Sequence, residues 1–222
     1  DDTHSFQVYN NSTESTRAQQ AIDATAGMIL RSIHDGQPVQ GFFYATSPGM
    51  SASAQGAWGG SGSPNLVARL LSPDLSWGQL ADEEQLSAWL RDVNAIAFDS
   101  DAPYFRWRVE ISADALRTAV KRVCGQDPGP ITHVQVRERG PGGNATVMDI
   151  TGSLGTVTIR GDYAIRQALS PAGFSLHLHD GRILPGGSLL PASFITWDEV
   201  RGAGGGLAGL KLYGGGFGHG VG

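Results

Sequence analysis

The 222-residue chain is long enough to bury a core, and 40% hydrophobic against 17% charged residues reads as folded rather than disordered. A net charge of -5 and a pI near 5.6 lack the basic footprint of a phosphate-backbone binder, so no nucleic-acid partner is expected. One cysteine, Cys124, rules out an intrachain disulfide and a cysteine-based zinc site, and without a run of about 18 apolar residues no membrane span is expected.

In chain order, the start "DDTHSF" shows no signal peptide and reads like the interior of a domain, so a longer protein is expected. "STESTRAQQAIDATAG" opens on capping residues and sets Ala18, Ala21, Ile22 and Thr25 at helical spacing, with Gly27 as the stop. Two apolar runs then flank "HDG", which predicts a hairpin. The stretch "PGMSASAQGAWGGSGSPN" predicts a long small-residue loop with Trp58 as its one large anchor, the kind of loop that often carries function.

"DEEQLSAWLRDV" reads as an amphipathic helix with Leu86, Trp89, Leu90 and Val93 on one side. Its Asp82, Glu83 and Glu84 suit a first turn, where carboxylates complement the helix dipole. "YFRWRVEIS" alternates as a strand and runs into a helix capped by Ser112 and stopped by Gly125. Three strands joined by glycine turns follow from Ile131 to Gly161, then a short helix in "DYAIRQAL", then strand material to the end. Helices and strands interleave irregularly. The expected class is α+β: one compact domain over residues 1–222, of short antiparallel strands and hairpins with a few helices and glycine-rich loops.

The chain closes on "GGGFGHGVG". A frayed tail would explain the glycines but not the Phe and Val; a site needing bare backbone near a ligand explains all of it, with His219 able to donate and accept a hydrogen bond. "HLHDG" puts His177 and His179 on one strand face with Asp180 beyond, an arrangement open to a metal, but the repeated "HDG" favours a turn. "NNS", "NST" and "NAT" match a glycosylation tripeptide that arises often by chance.

The order of these pieces resembles the stage II sporulation protein D domain, also called the amidase enhancer (LytB) domain. The resemblance rests on "DDTHSFQVY", on "AIDATAGMIL" followed by "GQPVQGFFYATSPGMS", on "YFRWRVEISADAL" and on "YGGGFGHGVG". It implies peptidoglycan as partner, an extracytoplasmic location and no cofactor. Sporulation members are lytic transglycosylases, in which one carboxyl group protonates the glycosidic oxygen and then takes the proton of the sugar's own C6 hydroxyl, leaving an anhydro end. Amidase-enhancer members modulate a cell-wall amidase instead.

Substrate-binding roles fall by this resemblance on His4, Tyr9, Tyr44, Ser47 and His219. The family's catalytic glutamate precedes the Asp-Thr-His segment, so here it is expected upstream of Asp1. The cysteine that joins a zinc site in some members is replaced by Ser5 or Phe6, so no metal is expected. "SPGMS" stands for the family's paired glycines, and its Met-Ser-Gln continuation after the last motif is missing. The expected function is binding and cleavage of glycan strands. The alternatives are a non-catalytic glycan-binding or amidase-modulating module, or a structural surface protein reusing the fold. The first reading requires the two ends of the chain to meet around a sugar-sized cleft.

Overall fold

The computed structural model describes residues 13–222 and divides the chain into two compact units, Asp1–Gly41 and Phe42–Gly222. In the first, α1 (Thr16–Ala24) begins where Ser15 Oγ accepts the Ala18 amide at 3.0 Å and ends where the Thr25 hydroxyl donates to the Ala21 carbonyl. The expected "HDG" turn follows. Arg31 bridges Pro38, the Ser32 amide donates to the Gln37 carbonyl, and Gly36 takes the left-handed conformation at φ 70°.

The second unit begins with three helices. These are α2 (Ala54–Trp58), capped by Ser53; α3 (Trp77–Ala81), with a Ser76/Gln79 capping box; and α4 (Glu83–Arg91), capped by Asp82. Helix α2 lies within the stretch read as loop, so the loop expectation is corrected: Ser53 Oγ accepts the Gly56 amide and nucleates one short turn. Helix α4 buries Leu86, Trp89 and Leu90 as its spacing predicts, but Val93 falls beyond its end and is exposed.

Then come β1 (Trp107–Ser112), α5 (Ala113–Cys124), β2 (Ile131–Arg139), β3 (Ala145–Gly152), β4 (Gly155–Arg160), α6 (Asp162–Ala168), β5 (Ser175–Leu178), β6 (Ile183–Pro185), β7 (Ile195–Arg201) and β8 (Leu207–Gly214). Two antiparallel sheets result, one in the order β6-β5-β1-β8-β7 and one in the order β2-β3-β4. The α+β class is therefore what the structure shows.

Strand β1 alternates strictly, burying Trp107, Val109 and Ile111. Leu116 and Val120 of α5, Met148 and Ile150 of β3, and Ile165 of α6 belong to the same buried hydrophobic cluster. Burying one such side chain removes its apolar surface from water, a gain of roughly 1.5–3 kcal/mol each. Asn144 of the "NAT" tripeptide belongs to this interior: it is fully buried and its amide donates to the Gly56 carbonyl, so it is no glycan acceptor.

Candidate functional site

The terminal glycine stretch is threaded into the second unit rather than frayed. Phe217 bridges Thr46, the Gly216 amide donates to the Tyr104 carbonyl, and the Gly218 amide donates to the Pro191 carbonyl. The Gly220 carbonyl accepts the Ala52 amide at 2.7 Å, and Val221 is completely buried. Three distant segments thus hold nine residues in place, and glycine is what lets them. A Cβ on Gly214 would lie 2.3 Å from the Trp107 indole. One on Gly218, at φ +117°, would lie 2.8 Å from Tyr44 Cβ.

This threading carries His219 into a cluster of aromatic rings. Its centroid lies 5.1 Å from Trp58, 6.2 Å from Tyr44 and 6.3 Å from Phe42, while Phe42 tilts onto Trp58 at 4.8 Å. Trp58, delivered at the end of α2, keeps half of its surface exposed, and Tyr44 and His219 are half-buried. Beside them Phe217, also partly exposed, stacks on Tyr104 at 4.5 Å.

The Val221 amide donates to His219 Nδ1 at 3.0 Å. An acceptor at Nδ1 means the proton sits on Nε2, and Nε2 has no partner among the described residues. Burial lowers the His219 pKa below 6.5; Asp162 opposes that shift and Arg166 adds to it. The imidazole is therefore a neutral donor at pH 7. Tyr44 is pushed up to about 12, first by burial and then by the charge of Asp99, so its hydroxyl also stays a donor.

Behind the cluster, Asp99 Oδ2 accepts the Ser47 amide at 2.7 Å. The Ser47 hydroxyl opposes the Tyr44 shift weakly without completing a hydrogen bond: Ser47 is 1% exposed and its Oγ is buried and unpartnered. On the other side, Asp162 and Arg166 form a buried pair at 3.2 Å on α6. Arg166 also donates to the Leu190 and Pro191 carbonyls, and the Pro191 carbonyl is the one that receives Gly218.

Of the residues read from sequence, Tyr44 and His219 are brought together, Ser47 lies beneath them, and His4 and Tyr9 lie outside the described residues. Phe42, Asp99 and Trp58 were not among them. Trp58 had a signal, as the one large residue in a run of small ones; Asp99 had none, because its contact spans 52 residues. "HLHDG" closes the β5–β6 hairpin, with the Arg182 amide on Asp180 Oδ1 at 3.1 Å. Among the described residues no group of three His, Cys, Asp or Glu side chains could hold a metal ion, and no helix is long and apolar enough to cross a membrane.

The fold and site define an α+β unit with a half-open aromatic cluster around a neutral imidazole. A family model matches residues 52–222, and the chain belongs to that family, described as Domain of unknown function (DUF8618). No curated protein and no solved structure matches it.

Proposed function

We propose that the chain binds cell-wall glycan strands and serves in their cleavage by the lytic-transglycosylase route, at an extracytoplasmic location. The observation that carries this reading is the ring cluster of Trp58, Tyr44 and Phe42 around His219. Sugars are recognised by flat apolar faces combined with a few fixed polar groups, and here an exposed indole stands 5.1 Å from an imidazole whose Nε2–H has no partner among the described residues.

In this reading His219 and Tyr44 donate to sugar hydroxyls, while Trp58 covers a ring face. Asp99 is bonded to the Ser47 amide, so it orients the loop rather than transferring a proton. That observation favours a second reading, a glycan-binding module that modulates a partner amidase without cleaving. Cleavage requires a separate carboxylic acid, one that gives its proton to the leaving oxygen and recovers one from the C6 hydroxyl.

Incubation with peptide-free glycan strands tests both. Anhydro-ended products support cleavage, and saturable quenching of tryptophan fluorescence without products supports the second reading. Trp58→Ala and His219→Asn should each weaken binding about tenfold, the loss expected for one good contact. Unchanged binding in both variants removes the ring cluster as the sugar site.

A further inference from the structure

We propose that a second pocket, between the end of α4 and the β5–β1–β8 part of the sheet, binds a small oxyanion, the carboxylate or phosphate end of a ligand. The pocket encloses about 240 Å³ and is lined by Arg91, Arg106, Arg108, His177, His179 and Tyr213, among others, with no carboxylate in its lining. At about 30 Å³ per water it has room for an acid group and a few attached atoms, not for a sugar chain.

The charge in it is poorly balanced. Arg91 is committed to Asp198 at 3.0 Å and lies over the Tyr213 ring. Arg106 is 3% exposed, and among the described residues its hydrogen-bond partners are carbonyls only, those of Asp92, Pro48, Phe105 and Trp89, while its guanidinium lies 3.9 Å from the centre of the Phe105 ring. The carbonyls take four N–H groups of the five a guanidinium carries. A buried cation held by carbonyl dipoles and ring faces, with no ion pair, remains costly, and burial lowers its pKa to about 10 despite the nearby charge of Asp92.

The Arg108 side chain is exposed and makes no hydrogen bond or ion pair among the described residues. Its register places it between His177 on β5 and Tyr213 on β8, side by side on one sheet face. His179, two residues on from His177, also lines the pocket and has a buried Nδ1 with no partner among the described residues. Three acids are near, each with a partner of its own: Asp180 with Arg182, Asp198 with Arg91, and Asp92 with the Asn94 amide. Two guanidinium groups without carboxylates and an orphaned imidazole nitrogen around one cavity fit planar or tetrahedral oxyanion recognition. On a chain of net charge -5, such a concentration of cations is not a general surface trend.

The proposal does not rest on the glycan reading, and its test uses no glycan. The whole protein is titrated with inorganic phosphate and, separately, with lactate, at constant ionic strength, while amide resonances are followed by NMR. Saturable shifts confined to Arg108, His177, Gly181 and their neighbours support the pocket; phosphate alone binding points to a phosphoryl ligand, lactate alone to a carboxylate. Arg108→Gln should weaken the binding about tenfold or more with thermal stability kept, since that side chain supports nothing else. Lys211→Gln, outside the lining, should leave it intact. If neither anion gives saturable shifts, or Arg108→Gln binds as tightly as the parent, the proposal is overturned.

Discussion

His219 shows how much one side chain's chemistry depends on the backbone around it. Its Nδ1 is taken by the amide two residues on, a contact that an asparagine side chain makes equally well in an Asx turn. His219→Asn should therefore keep the loop and remove only the titratable ring. Because burial favours the neutral form in the fold, the unfolded chain binds the proton more tightly. The stability this group contributes is complete above the unfolded value of 6.5 and is lost as pH falls through the lower folded value. Urea midpoints at pH 7.5, 6.5 and 5.5 should fall more steeply for the parent than for His219→Asn, and parallel profiles would contradict the assignment. The neighbouring charges give a second check: removing the negative charge with Asp162→Asn should lower the His219 pKa further, read from its ring resonances.

At the scale of elements, glycines with the same backbone sign do different work. Gly125 ends α5 in the left-handed conformation at φ 68°, and a Cβ there would meet nothing. Gly218 combines φ +117° with the approach to Tyr44, and its amide is bonded to Pro191. Gly125→Ala should cost about 1 kcal/mol of stability and leave the proposed glycan binding alone. Gly218→Ala adds the strain of a collision and should cost about 1–3 kcal/mol while weakening the proposed sugar binding. Thermal unfolding and fluorescence titration of the two variants separate a structural stop from a site glycine; equal effects on binding would sink the distinction.

Strands such as β1 and helices such as α5 were legible because alternation and caps are local: Ser112 and Gly125 mark the ends of α5 in the sequence itself. Helices α2 and α3, five residues each, are too short to show a period, and only their Ser53 and Ser76 caps could have betrayed them. The candidate site was legible in the same measure. Tyr44 and His219 sit in local signals, whereas Asp99, Asp162 and Arg166 reach it through contacts between segments far apart in the chain.

For the second unit as a whole, the question is how a stretch so rich in glycine is held rigid enough to aim a side chain. Its amides and carbonyls end on Thr46, Ala52, Tyr104, Pro191 and Phe194, so the loops bearing those groups must be fixed first. The Asp162–Arg166 pair does this for Pro191: both charges are buried, the Ser193 hydroxyl donates to Asp162, and Arg166 clamps two consecutive carbonyls. Removing one partner strands a charge in the interior, so Asp162→Asn or Arg166→Met alone should cost about 3–5 kcal/mol. Removing both strands neither, so the double variant should cost clearly less than the two singles summed, by at least about 1 kcal/mol in a denaturation cycle. Because the Pro191 carbonyl loses its clamp in every Arg166 variant, the Gly218 amide resonance should shift in the double variant even where stability recovers. Additive costs, or an unmoved Gly218 signal, would show that the pair and the histidine loop are independent.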